Sequence, residues 1–123
     1  MKLKGKVAIV TAASSDRGSA IAELLASEGA AVTINYFKNK KRAESVLNKI
    51  ESRGGKAMVR QADVTAKSSV NRMVADTVKK FGGIDILVNN AHGTIRRKTF
   101  EDTIWNELTE NLNGTIKGAH NCC

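Results

Sequence analysis

The sequence predicts an α/β fold in which a doubly wound parallel sheet is covered by helices on both faces. Three observations carry this. Short β-branched runs alternate with longer stretches of helical periodicity, the signature of βαβ units. The runs are apolar on both faces, as strands between two helical layers require. Gly29, Gly54 and Gly82, which stand 25 and 28 residues apart, mark the ends of the helical stretches, where a left-handed residue turns the chain back into the sheet. The segments between them are dissimilar, so this rhythm belongs to βα units and not to a repeat array.

The first strand is expected over Lys6 to Thr11. Lysines precede its apolar run, as in a signal peptide, but Val7 to Val10 is too short and too β-branched for one, and a buried strand accounts for it. A polar turn then leads into a helix beginning near Ser19, with Ile21, Leu24 and Leu25 on one face. The second strand is Ala31 to Asn35, followed by a helix capped by Asn39 and striped by Ala43, Val46, Leu47 and Ile50. Gly54 with Gly55 ends that helix and leads into the third strand, Ala57 to Arg60. Thr65 is the expected cap of the third helix, whose stripe is Val70, Met73, Val74, Thr77 and Phe81 before Gly82 and Gly83. The fourth strand is Ile84 to Asn89; after Asn90 a polar loop precedes a helix from Phe100 onward, containing Trp105 and Leu108.

A length of 123 residues predicts one folding unit over 1–123. With 41% hydrophobic and 26% charged residues and no proline, the composition is that of a soluble globular protein. No stretch approaches the ~20 apolar residues of a membrane span. A net charge of +8 suits nucleic acid, a membrane surface or phosphate-bearing small ligands. Interleaved aromatics and a nucleic-acid module are missing, which argues against nucleic acid. Cys122 and Cys123 are adjacent, a spacing that fits neither a disulfide framework nor a metal site, so they read as free thiols in a reducing, cytoplasmic setting.

The turn from Ala12 to Gly18 links a strand to a helix, where a dinucleotide pyrophosphate rests on helix N-terminal amides. Here the sequence resembles the short-chain dehydrogenase/reductase family, whose loop reads Thr-Gly-x-x-x-Gly-x-Gly. Without gaps, Thr11 and Gly18 match, while Ala12 and Asp16 take the first two glycine positions. Glycine there permits positive φ and close approach, and Asp16 sets a carboxylate beside a pyrophosphate. A gapped alignment instead places Arg17 and Gly18 on an Arg-Gly pair common in this loop. Three further elements match in order. Asp63 and Val64 correspond to a pair contacting adenine. Asn89, Asn90 and Ala91 resemble Asn-Asn-Ala-Gly, with His92 replacing the glycine. Asn111, Leu112 and Gly114 resemble the element supplying the catalytic asparagine, although Trp105 stands about one residue closer than usual, ~100° of helix. Each residue also has a plain structural reading: Asp63 starts a turn, and Asn89 ties neighbouring strands.

The resemblance covers essentially the whole chain and is similar to that among 3-oxoacyl-acyl-carrier-protein reductases. It implies a Rossmann-like sheet of order 3-2-1-4, truncated after about four strands, and a cofactor site at Thr11, Ser14, Arg17, Gly18, Asn35, Tyr36, Lys38, Asp63, Val64, Asn89, Asn90 and Ala91, with Asn111 catalytic. No acidic residue ends the second strand to bind the 2′-hydroxyl of NAD. Lys38, Lys40, Lys41 and Arg42 stand there instead, which favours NADP. The family's catalytic serine and Tyr-x-x-x-Lys lie downstream of the matched part. Tyr36 and Lys40 mimic the latter spacing but sit at the adenine end of the fold. Two functional readings are open, the cofactor half of an NADP-dependent carbonyl reductase, inactive alone, or a non-catalytic interaction module or pseudoenzyme fragment; a third account is a frameshifted or incomplete gene. In both functional readings, a second copy or a full-length homologue is expected to cover the exposed edge of the fourth strand.

Overall fold

The computed structural model describes residues 1–92 and 105–123. Four strands, β1 (Val7–Val10), β2 (Ala31–Tyr36), β3 (Lys56–Gln61) and β4 (Ile86–Val88), alternate with α1 (Asp16–Ser27), α2 (Lys40–Ser52) and α3 (Lys67–Phe81). The sheet is parallel throughout, in the order β3-β2-β1-β4. The chain therefore winds outward through β2 and β3, then returns to the other side of β1. That reversal opens a crevice at the carboxyl ends of β1 and β4.

Val10, Ile34 and Ala57 pack with Ala22 and Ala26 of α1 and with Val46 and Ile50 of α2. Ile9, Ala62 and Met73 form the opposite cluster, with Val74 and Leu87 against it. Adjacent residues such as Ile9 and Val10 thus serve opposite faces, as strand alternation dictates. On the α3 side the fully buried Thr33 and Thr77 hydroxyls meet at 2.9 Å, and Thr77 Oγ1 donates to the Met73 carbonyl. Gly29, Gly54 and Gly82 take φ of 97°, 82° and 91°, as the turns back into the sheet require.

Strands β1, β2 and β3 lie within one residue of the expected bounds at each end; three other boundaries differ for an identifiable reason. The first helix starts at Asp16 and not near Ser19, because Ser15 is its N-cap and accepts from Gly18 N at 3.1 Å. Ala66, and not Thr65, precedes α3. The Thr65 hydroxyl is drawn back to Asp63 Oδ1 at 2.6 Å and cannot cap the helix. The fourth strand is limited to three half-buried residues. Val7 N bonds the Asp85 side chain at 2.9 Å where a longer ladder would continue. Asn39 caps α2 as expected, accepting from Arg42 N at 3.1 Å.

Beyond the undescribed residues 93–104, α4 (Trp105–Leu112) runs into a π-helical segment (Asn113–Lys117) and α5 (Gly118–Cys122). The expected helix start at Phe100 lies outside the described residues. Trp105 and Asn111 both lie in α4, ahead of the π-helical segment, so the ~100° offset implied by their short spacing falls within one α-helix. Gly118 packs on Val64, where a Cβ would come within 2.7 Å of Val64 Cγ2. Trp105 and Ile116 are exposed.

Candidate functional site at the carboxyl ends of the strands

A continuous chain of side-chain hydrogen bonds joins the carboxyl ends of all four strands. Thr11, buried at the end of β1, accepts at Oγ1 from Asn90 N and Ala91 N, both at 2.9 Å. The same hydroxyl lies 3.3 Å from the Val88 carbonyl, to which it donates. Thr11 therefore ties β1 to the segment leaving β4. On the other side Asn35, buried in β2, accepts from Ala12 N at 3.1 Å and donates to the Ala62 carbonyl at 3.2 Å. One amide thus holds the β1 turn and the end of β3 together. The strand ends are fixed relative to one another by bonded polar groups, and a buried polar group is stable only when so paired.

The loop after β1 is closed by a second set of bonds. Ser15 Oγ donates to the Ala12 carbonyl at 2.8 Å while capping α1. Asn90 Nδ2 donates to the Ala12 carbonyl at 3.1 Å and to Ser15 Oγ at 3.2 Å, and Asn90 Oδ1 accepts from Arg17 Nε at 2.9 Å. Ala12 takes φ of 50°, the one non-glycine residue at positive φ among the described residues. The loop thus keeps a glycine-type backbone where the sequence has alanine. At Gly18 a Cβ would lie 2.4 Å from the Ala12 carbonyl oxygen, so α1 approaches the loop as only glycine allows. Both alignments place Gly18 on a glycine, so this contact agrees with either, and Arg17 lies on the first turn of α1.

Asp63 is locked in its own turn, with Oδ1 accepting from Thr65 N at 2.9 Å and its backbone N–H bonded to Ser69 Oγ at 3.1 Å. Its structural reading therefore holds. Beside it a cleft of about 380 Å³ is lined by Phe37, Ala62, Asp63, Ser69 and Arg72. A larger cleft of about 1170 Å³ is at the amino ends, around Gly5, Glu23 and Lys56, and includes none of the expected site residues.

Tyr36 is buried in the core between the β2 and α2 residues, and Lys40 pairs instead with Glu44 at 3.8 Å. The two do not form a Tyr-x-x-x-Lys pair. Ser14 is half-buried in the loop, Lys38 is exposed with its ammonium 5.6 Å from the Phe37 ring, and Val64 is buried. The strand-tying role expected of Asn89 falls to Asn90. Strand β4 ends at Val88, so Asn90 faces Thr11 and Ala12, while Asn89 is exposed and reaches Cys123 Sγ at 3.6 Å. Asn111 lies near the end of α4, its amide donating to the Glu107 carbonyl at 3.2 Å, one turn back along the helix.

Sequence reasoning missed three things. Ser15 followed by Asp16 is a readable helix start, obscured by reading the turn as a glycine loop. Buried Asn121 donates to the Val64 carbonyl at 2.9 Å and its own carbonyl accepts from Lys67 Nζ at 2.7 Å, which docks α5 on the β3–α3 turn. Arg42 Nη2 forms an ion pair with Asp16 Oδ1, 26 residues away in sequence and without a local signal. Among the described residues no group of three or more His, Cys, Asp or Glu side chains could hold a metal, and no helix is long and apolar enough to cross a membrane.

A family model described as short chain dehydrogenase matches residues 6–123. An uncharacterized oxidoreductase of Methylorubrum extorquens is 48% identical over 90 residues, covering 73% of this chain and 36% of that protein. A 3-oxoacyl-[acyl-carrier-protein] reductase of Staphylococcus epidermidis is 37% identical over 122 residues, 95% of this chain and 48% of that one. Among solved structures, a short-chain dehydrogenase/reductase from Serratia marcescens superposes with a TM-score of 0.92 at 35% identity, over 99% of this chain and 49% of that one. A short chain dehydrogenase from Burkholderia cenocepacia in complex with NADP gives 0.91 at 38% identity, over 99% and 49%. The chain spans half or less of the length of these relatives.

Proposed function

Because the chain belongs to the short-chain dehydrogenase family, we propose that its 123 residues form the dinucleotide-binding half of an oxidoreductase, with NADP preferred over NAD. The observation that carries this reading is the hydrogen-bonded loop from Thr11 to Gly18, which keeps positive φ at Ala12 and glycine contact at Gly18. That geometry sets the first turn of α1 beside the crevice, where the helix dipole and the N-terminal N–H groups other than the Ser15-capped Gly18 amide would stabilise a pyrophosphate.

Each part of the site has its own task. Thr11, Asn35 and Asn90 fix the strand ends, and Ser14, Arg17 and Gly18 shape the pyrophosphate end. Asp63 and Val64 border the adenine with Tyr36, whose contribution is its backbone because its ring is in the core. Asn89 and Ala91 line the path toward the nicotinamide. The basic cluster of Lys38, Lys40, Lys41 and Arg42 after β2 is the source of cations for the 2′-phosphate. NADPH, held there, would supply the hydride for reduction of a carbonyl. Asn111, near the end of α4 with its amide on the Glu107 carbonyl, is the catalytic candidate of this chain.

Tyr36 is the only tyrosine in the sequence, and it belongs to the core cluster beneath α1 and α2, so the reading gives it no part in the chemistry. On this reading the 123 residues bind the cofactor without turning over a substrate. Titrating the purified chain with NADPH, following its fluorescence, tests the reading: binding in the micromolar range that weakens several-fold when Lys38, Lys40 and Lys41 are neutralised is expected. Absence of binding together with a stable complex with a full-length homologue would establish a non-catalytic interaction module instead. Turnover of a ketone by the isolated chain would refute the assignment of chemistry to other residues.

A further inference from the structure

Asp16, which takes a glycine position in the gapless alignment, lies on the first turn of α1, and its carboxylate accepts from Arg42 on the first turn of α2. Helices α1 and α2 start from the adjacent strand ends β1 and β2, so the pair bridges the pyrophosphate end of the crevice and the basic cluster after β2. Two other cations of that cluster turn elsewhere: Lys40 to Glu44 on its own helix, and Lys38 toward Phe37. Arg42 alone among these three reaches across. A guanidinium is the side chain best shaped to grip a phosphate with two parallel hydrogen bonds, and here one arm is already committed to a carboxylate.

We propose that Asp16 is a specificity-setting residue that acts through Arg42: it holds the guanidinium as an internal counter-ion and so weakens recognition of the cofactor's 2′-phosphate relative to its 2′-hydroxyl. This rests on the dinucleotide reading above. A 2′-phosphate must displace the Asp16 carboxylate to gain Arg42, whereas NAD leaves the pair intact. The chain therefore discriminates between the two cofactors less than its basic cluster implies. Both groups are largely exposed, with side chains 97% accessible for Asp16 and 51% for Arg42. The exchange consequently needs no unfolding of the loop, and salt weakens it.

The test measures dissociation constants of NADP and NAD for the full chain and for Asp16→Asn, Arg42→Gln and the double variant. The ratio of the two constants cancels the repulsion that Asp16 exerts on the shared pyrophosphate and any loss of loop order, which affect both cofactors alike. Asp16→Asn is expected to raise the preference for NADP about tenfold when Arg42 is present and no more than about twofold in the Arg42→Gln background. An unchanged ratio, or an equal gain without Arg42, overturns the proposal while leaving the dinucleotide site standing. If no variant binds either cofactor, the site itself fails and the proposal fails with it.

Discussion

Gly18→Ala tests the closure of the loop directly. The substitution adds one methyl to the third residue of α1, and a solvated helix would gain about 0.5–1 kcal/mol from it. Here the added Cβ would lie 2.4 Å from the Ala12 carbonyl oxygen, 2.6 Å from Asn90 Nδ2 and 2.8 Å from Ala13 Cα. Two of these atoms are backbone and cannot move without shifting the loop, so overpacking costs about 1–3 kcal/mol. Displacing the Asn90 amide from the Ala12 carbonyl costs about 1 kcal/mol more. The net is a destabilisation of about 2 kcal/mol, or roughly 8 °C in Tm for a domain of this size. Urea denaturation followed by circular dichroism measures it, with Gly83→Ala as control because a Cβ there meets nothing within 4 Å. Since the contacts include backbone, trimming Asn90 to alanine in the same chain should restore no more than a small part. A Gly18→Ala variant within ~0.5 kcal/mol of the parent would falsify the close packing of α1 on the loop.

Ala12→Gly should stabilise the chain by about 0.5–1 kcal/mol in the same assay, since an L-residue in the left-handed region costs ~1–2 kcal/mol and glycine returns part of that as unfolded-state freedom. A loss of stability would mean that the φ of 50° at Ala12 stores no strain. Thr77→Val leaves the buried Thr33 hydroxyl without its 2.9 Å partner and should cost about 1–3 kcal/mol, whereas Thr33→Val with Thr77→Val should cost clearly less; equal costs would refute the pairing. Burial, then the neighbouring Cys123 thiol, push the Cys122 thiol above its ordinary value, partly offset by Lys67. Alkylation of Cys122 by iodoacetamide, resolved by tandem mass spectrometry, should therefore keep accelerating above the pH at which an ordinary thiol levels off. The same upward shift means the folded state holds that proton longer, so this thiol's contribution to stability is fully present below the ordinary thiol pKa and is lost as pH rises through the higher folded value. A rate that levels off at the ordinary pH would contradict the shift.

The strands and helices were readable because both faces of each strand had to be apolar and each helix had to show a stripe. Val7 to Val10 and the stripe Val70, Met73 and Thr77 satisfy those demands locally, and the core they define is the one observed. Boundaries failed where a side chain competed with the backbone for a hydrogen bond. Asp85 takes the Val7 amide, Asp63 takes the Thr65 hydroxyl, and Ser15 takes the Gly18 amide. Each is a choice between two good partners, which pattern counting does not resolve.

The site was legible as a set of residue types and less so as a set of contacts. Asn89 and Asn90 are the same residue at adjacent positions just past the end of β4, where Asn90 N turns back to the Val88 carbonyl at 3.1 Å: the Asn90 amide bonds the Ala12 carbonyl and Ser15 Oγ, while Asn89 reaches Cys123. Asp16 shows the limit more sharply. Read along the chain, it is an uncompensated charge at the place where phosphate should approach, an argument against binding. Folding sets Arg42 against it, so the local charge of the pair is near zero and the objection loses most of its force. The same contact takes away a cation that the sequence credits to 2′-phosphate recognition. One ion pair between the starts of two successive helices thus weakens the case against a dinucleotide and the case for strong NADP preference together, and charge counts along a loop cannot separate these effects.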